Sequence, residues 1–233
     1  MGNCGKQECC QLCSKNLERF FGDSDTETLA FLKEGQKVFD YKKGEVLFLE
    51  NTPSTGIFCI LKGNVKLSKN HGTKKERIIN LLKPGELMGV HSVIVERNFT
   101  KTAIALDDVI VCHLPKKVLL HVIEKKPAIV VDLLRHVEKG ISEIQGRATQ
   151  ILQLPTEERM IGFLLMLHKK FKTGNNGNLS ISLSPKDFAN LLHTTRETVY
   201  RVFKKLEETS LIKVDKHKVQ LLDIPKMELM IGI

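Results

Sequence analysis

The stretch DFANLLHTTRETVYRVFKKLEE, Asp187 to Glu208, decides how the C-terminal third of this chain folds. Phe188, Ala189, Leu192, Val199, Val202 and Leu206 are spaced to form a small helical core. The tight link His193-Thr194 separates two short helices, Pro185 to Leu192 and Thr195 to Glu208. Ser184 is an N-cap for the first, with proline at its first position. The opposite face of the second offers Arg196, Glu197, Tyr200, Arg201 and Lys204. Residues near a recognition-helix N-terminus reach base edges. There an arginine binds guanine through two hydrogen bonds, and a glutamate accepts from cytosine. Thr194 and Thr195 lie at the helix start, where hydroxyls and free backbone N–H groups suit phosphate. A solvated charged face on an ordinary helix carries the same residue types, so this pattern alone leaves both readings open.

Working outward, a helix is expected over Glu157 to Phe171, then the loop TGNNGN, then LSISLS (Leu179 to Ser184) as a strand. Beyond the two short helices, LIKV (Leu211 to Val214), a polar turn at Asp215 to His217 and KVQLLD form a hairpin. Helices closed by such a hairpin make a winged helix-turn-helix, assigned to residues 155–233. Upstream, Val130, Leu134, Val137, Ile141, Ile144, Ala148 and Ile151 step by four and three. This narrow seam suits a helix over 127–154 that pairs with its own copy, which predicts a homodimer. A long helix packed on the preceding domain is the alternative. Leu154-Pro155 ends it, because proline cannot donate the next helical hydrogen bond.

Residues 17–126 read as β structure. EVLFLE (Glu45 to Glu50), GIFCILKG (Gly56 to Gly63), VKLSK (Val65 to Lys69), RIINLL (Arg77 to Leu82) and VIVCHLP (Val109 to Pro115) are short strand-like runs. Gly44, Gly56, Gly63, Gly72, Gly85 and Gly89 punctuate them, with no helical stretch between. A small sandwich or barrel follows. The fold class is α+β: a jelly-roll-like β-roll, a long dimerisation helix and a winged helix-turn-helix.

Length and composition bound the function. The 233 residues suit two domains, with 42% hydrophobic and 27% charged residues. No run approaches the roughly 18 apolar residues of a membrane span. The start, MGNCGKQECC, lacks a signal-peptide core, and Lys6 stands where myristoylation wants Ser or Thr. A cytoplasmic protein without membrane contact is expected. Net charge is +9, but residues 155–233 carry +4 and the remainder +5, so the charge is diffuse. No GxSxG, P-loop, HExxH or paired carboxylates are present, so an enzyme is not expected. Four of six cysteines fall between Cys4 and Cys13, in a tail of residues 1–16. Thiols so crowded in a reducing compartment are metal ligands more often than disulfides.

RETVYR at Arg196 to Arg201 resembles the recognition-helix signature of the CRP/FNR family of regulators. YKKGE at Tyr41, KPGELMG at Lys83, LPTEER at Leu154 and the order of domains are also similar, over about residues 17 to 225. The resemblance implies a homodimeric transcription factor that binds double-stranded DNA, and RNA polymerase if it activates. It implies base contacts from Arg196, Glu197 and Arg201. The FNR subgroup, which reads TTGAT, lacks the arginine and has serine where Tyr200 stands. This chain is therefore expected to read a palindrome with the shared TGA core, the outer bases left open.

The same resemblance frames the signal. The family's phosphate-binding cassette needs an arginine followed by Ser or Thr, whereas Phe99-Thr100 stands here and Arg97 aligns only with a shift. Glu86 matches the ribose-binding glutamate, with Met88 as an extra residue. Losing the one cation at a phosphate site argues against cyclic AMP. The FNR subgroup holds an iron–sulfur cluster with three tail cysteines and one in a VCEIP-like strand. VIVCHLP places Cys112 there, which implies a [4Fe-4S] cluster on Cys4, Cys9, Cys13 and Cys112, with Cys10 as alternate. The tail spacing C-x4-CC-x2-C departs from C-x2-C-x5-C. Zinc or a redox-switched disulfide at the same thiols stands as the alternative, and Cys59 reads as a core residue. His91-Ser92 resembles the ligand segment of haem-based carbon-monoxide regulators, but Gly89 occupies the place of their cysteine.

Overall fold

The computed structural model describes residues 35–71, 75–171, 177–216 and 218–232. Cys4, Cys9, Cys10 and Cys13 lie outside the described residues, as do the side chains of Ala148 and Ile151. The chain divides into two compact units, one of residues up to Lys69 with Asn80–Ser142, the other of Asn70–Ile79 with Glu143 onward.

The β-roll strands are β1 (Lys37–Tyr41), β2 (Val46–Phe48), β3 (Gly56–Lys62), β4 (Val65–His71), β5 (Lys75–Leu82), β6 (Leu87–Met88), β7 (Thr102–Ala105) and β8 (Val109–Pro115), all in the first unit except the end of β4 and most of β5. They form two four-stranded sheets, ordered β1-β8-β3-β6 and β2-β7-β4-β5. Alternation along the strands creates two cores, because successive side chains point to opposite faces. Phe58, Ile60, Met88, Val109 and Val111 of the first sheet join Leu47, Val65, Leu82, Ala103 and Ala105 of the second. The other face of the first sheet carries Ile57, Cys59, Leu61, Leu87, Cys112 and Leu114. Helices cover that face: Val90 and Val93 come from α1 (Val90–Ile94), Leu119 and Val122 from α2 (Lys116–Lys125), and Ile129 and Leu133 from α3 (Ile129–Gln153). Gly56 to Leu61 of β3 are accordingly buried without a break.

The five strand-like runs are all strands, but the expectation of no helix among them fails at α1. Strands β1, β6 and β7 and helix α2 add to that reading.

The second unit contains α4 (Thr156–Phe171), α5 (Pro185–Leu191), α6 (Arg196–Glu208), β9 (Ile212–Asp215), β10 (Lys218–Leu221) and α7 (Ile224–Met230). The hairpin β9–β10 pairs Asp215 with Lys218 and Ile212 with Leu221. LSISLS is not a strand: Asn178 before it bridges to Gln220 of the hairpin and Leu179 has an isolated bridge assignment, but no ladder follows. Its alternation has another cause, since Leu179, Ile181 and Leu183 are buried in turn while no ladder continues. Among the described residues, no helix is long and apolar enough to cross a membrane.

Candidate nucleic-acid interface and sensor core

The reader is set by its caps. Ser184 Oγ accepts from Asp187 N at 3.2 Å, and Asp187 Oδ2 accepts from Ser184 N at 3.1 Å, a reciprocal box that starts α5. Thr194 N donates to Ala189 O at 2.9 Å, which turns the chain after α5, with His193 in the left-handed region at φ 51°. Thr195 then caps α6, its Oγ1 accepting from Thr198 N at 3.2 Å.

Beneath α6, Phe188 meets Phe163 edge-on at 5.9 Å and Phe203 at 5.0 Å. Val199, Val202, Phe203 and Leu206 are buried, as are Phe188, Ala189 and Leu192. The six core positions read from sequence therefore come together. Phe203 was missed, and its step of four from Val199 was the available signal. Glu207 Oε1 accepts from Val214 N at 2.9 Å, tying the hairpin to α6, and Lys205 Nζ donates to Glu157 at 2.6 Å, tying α6 to α4.

The outward face carries Arg196, Glu197, Tyr200, Arg201 and Lys204, all exposed, with Tyr200 at 60%. Hydrogen bonds from its own backbone N–H and from the Thr195 hydroxyl hold the Glu197 carboxyl below its usual range. Glu197 is thus an acceptor at neutral pH. Thr195 is occupied by the cap, whereas Thr194 beside it is half-buried.

In the β-roll interior, Phe99 stacks on Phe48 at 4.1 Å, and Phe48 meets Phe58 at 5.3 Å. Phe99 thus belongs to an apolar aromatic cluster with Phe48 and Phe58. Glu86 Oε2 accepts from Lys83 N at 3.0 Å, so its carboxylate closes the KPGE turn. Gly89 has φ 84°, and a Cβ there would lie 2.9 Å from Gly56 O and 3.1 Å from the Phe99 ring. A cysteine does not fit that position, and His91 is exposed on α1.

Cys112 is buried on the helix-covered face, and its Sγ donates to Gln36 Oε1 at 3.2 Å. Gly35 packs so close to Val118 that a Cβ would come within 2.6 Å of it. Gln36 therefore lies directly beside Cys112. Among the described residues no three His, Cys, Asp or Glu gather to hold a metal. A thiolate centre at Cys112 would take its other ligands from the tail, and four soft thiols there suit that donor set. Gln36, a neighbour of Cys112, was not read from sequence. On α3, Leu134 and Ile141 are exposed, Val130 and Ile144 are half-buried, and Val137 packs against the β-roll core.

A β-roll joined by a long helix to a winged helix-turn-helix defines a class of DNA-binding regulator. Residues 38–126 match the family model of the cyclic nucleotide-binding domain, and residues 158–230 match that of the Crp-like helix-turn-helix domain. The "Transcriptional activator protein anr" of Pseudomonas aeruginosa is 27% identical over 184 residues, covering 78% of this chain and 75% of that protein. The "CRP-like cAMP-activated global transcriptional regulator" of Mycobacterium tuberculosis is 22% identical over 210 residues, covering 89% and 93%. The structure of FixK2 from Bradyrhizobium japonicum superimposes with a TM-score of 0.76 at 18% identity, covering 83% of this chain and 96% of that one. The chain belongs to the CRP/FNR family of transcriptional regulators.

Proposed function

We propose that this regulator binds a palindromic, TGA-containing DNA site as a homodimer, under control of a cluster held by Cys112 and the tail. The observation that carries the DNA reading is the two-sided α6. Its apolar side is locked by Phe188 and Phe203, while Arg196, Glu197, Tyr200 and Arg201 share the exposed side. Arg196 supplies donors for guanine O6 and N7, and ionised Glu197 an acceptor for cytosine N4. Thr194 contacts phosphate, and Thr195 contributes through the cap that aims Glu197.

The dimer forms along Val130, Leu134, Val137, Ile141, Ile144, Ala148 and Ile151. Leu134 and Ile141 are exposed at 57% and 49% in the single chain, which is the apolar surface a second copy would cover. Ile129 and Leu133 bind the same helix to the β-roll, and Val137, partly buried against that core, stands at the edge between the two faces.

For the signal, Cys4, Cys9 and Cys13, with Cys10 as alternate, would join Cys112 around an iron–sulfur cluster, consistent with [4Fe-4S]. Bound there, such a cluster supplies an oxygen- and redox-labile centre. Cys112 shares its core with Ile129 and Leu133 of α3, so a change at that thiol reaches the base of the dimer helix. Cyclic nucleotide and haem are the weaker alternatives, given Phe99 in the aromatic cluster and the crowded Gly89. Zinc at the same thiols is separated by metal analysis. Anaerobic purification tests the proposal: broad absorption near 400 nm with protection of a palindromic TGA site supports it. A colourless, iron-free protein overturns the cluster, and absence of palindrome protection under any redox condition overturns the DNA reading.

A further inference from the structure

Strands β3 and β8 are antiparallel, and their register sets Cys59 directly opposite Cys112. Both belong to the helix-covered face, and both are buried, at 5% and 2%. Neither forms a disulfide in this structure. Ile60 N donates to Glu86 O, and Gly85 N donates to Ile60 O, so the backbone groups of Ile60 point away from β8. Those of Cys59 consequently point toward β8, which makes Cys59 and Cys112 a hydrogen-bonded pair with Cα atoms about 5.5 Å apart. That separation lies inside the roughly 4.4–6.8 Å window for disulfides, while the Cβ spacing of about 5.5 Å expected of such a pair exceeds the usual 3.5–4.5 Å. The bond can close, but under strain, and strained disulfides are the readily reduced, regulatory kind.

We propose that Cys59 and Cys112 are an oxidisable dithiol, converted by a hydroperoxide into a reversible intrachain disulfide. In this scheme Cys112, whose Sγ–H donates to Gln36 Oε1, is the first to react once it has lost its proton. Its thiolate attacks the peroxide, the O–O bond breaks, and with hydrogen peroxide one water leaves as a sulfenic acid forms. The Cys59 sulfur then attacks that sulfur, the S–O bond breaks, and a second water leaves. Two thiols lose two electrons and two protons in all, and both oxygens of the peroxide end in water.

The place of this pair gives it a consequence. Val38, Cys112, Cys59 and Leu87 are register partners across β1, β8, β3 and β6, one row on the covered face. Ile129 and Leu133 of α3 share that core, and His136 Nε2 lies 3.1 Å from Leu87 O. Pulling the two strands together changes the floor on which α3 is seated. The disulfide also removes the thiol assigned to the cluster, so the two states exclude each other.

The test removes the tail chemistry so that it does not depend on the cluster. The full-length C4S/C9S/C10S/C13S protein is treated with hydrogen peroxide, alkylated in denaturant and mapped by mass spectrometry. The expected result is joint loss of both thiols, a linked Cys59–Cys112 peptide, and full recovery on mild reduction with dithiothreitol. Hydrogen exchange over Ile129 to Val137 is expected to differ between the two forms. Adding Cys59→Ala should abolish the link and leave Cys112 to overoxidise. If both thiols stay alkylatable, or Cys112 becomes a sulfinic acid while Cys59 is untouched, the dithiol is refuted. That result would leave the cluster proposal standing, and absence of iron from the native chain would leave the dithiol standing.

Discussion

Replacing Arg196 with alanine isolates base reading from everything else α6 does. Arg196 is exposed in the first turn, and the core beneath α6 rests on Val199, Val202, Phe203 and Leu206. Surface substitutions of this kind change stability by about 0.5 kcal/mol or less, so the thermal midpoint should hold. A bidentate arginine–guanine pair contributes about 1–3 kcal/mol of discrimination. A homodimer uses two such pairs, giving about 2–6 kcal/mol, or roughly 30- to 20,000-fold in Kd at about 1.4 kcal/mol per decade. Fluorescence anisotropy with a duplex bearing two TGA half-sites should show this weakening at fixed salt. The decisive comparison uses a duplex with the guanine of each half-site changed to adenine. The native protein should lose affinity on that duplex, and Arg196→Ala should bind both alike. Lys204→Ala is the contrast: removing one ammonium–phosphate interaction per subunit should weaken all duplexes uniformly and lower the salt slope by about 2. If Arg196→Ala weakens binding equally on matched and changed DNA, the arginine serves the phosphate backbone and the base-reading argument fails.

Three further outcomes follow from the packing. Phe203→Ala removes the ring between Phe188 and the hairpin side of α6, and should cost about 3–5 kcal/mol, seen as an earlier urea midpoint and abolished DNA binding. Gly89→Cys forces a side chain into a left-handed residue against Gly56 O, and should lower stability by about 1–3 kcal/mol; unchanged stability would reopen the haem alternative. Burial, then the charge of Lys37, lowers the His113 pKa from 6.5 in the folded chain. The unfolded chain then binds more protons, so the histidine's contribution is full above about pH 6.5 and declines as pH falls below it. His113→Phe should flatten that part of the urea midpoint against pH profile, and an unchanged slope would assign the dependence to other groups.

What the sequence made legible was local. Runs such as RIINLL lie between glycines, VIVCHLP is a mostly apolar run closed by Pro115, and the spacing of Phe188 to Leu206 marks two helices without any knowledge of partners. Elements with weak local signals escaped: β6 has two residues, and β1, mostly exposed, lacks an apolar alternation. Helix α2 follows Pro115 at once, so Pro127 drew the boundary instead. LSISLS misled because inward burial of every second residue occurs without a ladder. Cys59 illustrates a different limit. Its own strand reads as core, and it is core, but its partner is set by the pairing of strands about fifty residues apart. Register is a non-local property, and no spacing in one sequence reports it.

The placement of Cys112 bears on how a signal is transmitted inside the first unit. A ligand shifts an equilibrium only through interactions that differ between the two states. The β-roll interior holds an apolar aromatic cluster of Phe48, Phe58 and Phe99. The covered face is different. The thiols of Cys59 and Cys112, Gln36 and the first turns of α3 meet on one layer. A chemical change there alters packing that α3 makes directly, through Ile129 and Leu133, without passing through the interior. Perturbing the row from Val38 to Leu87 should therefore alter α3 more than perturbing Phe99. Hydrogen exchange over Ile129 to Val137 in Leu87→Ala and Phe99→Leu proteins checks that order, and faster exchange in the Phe99 variant would reverse it.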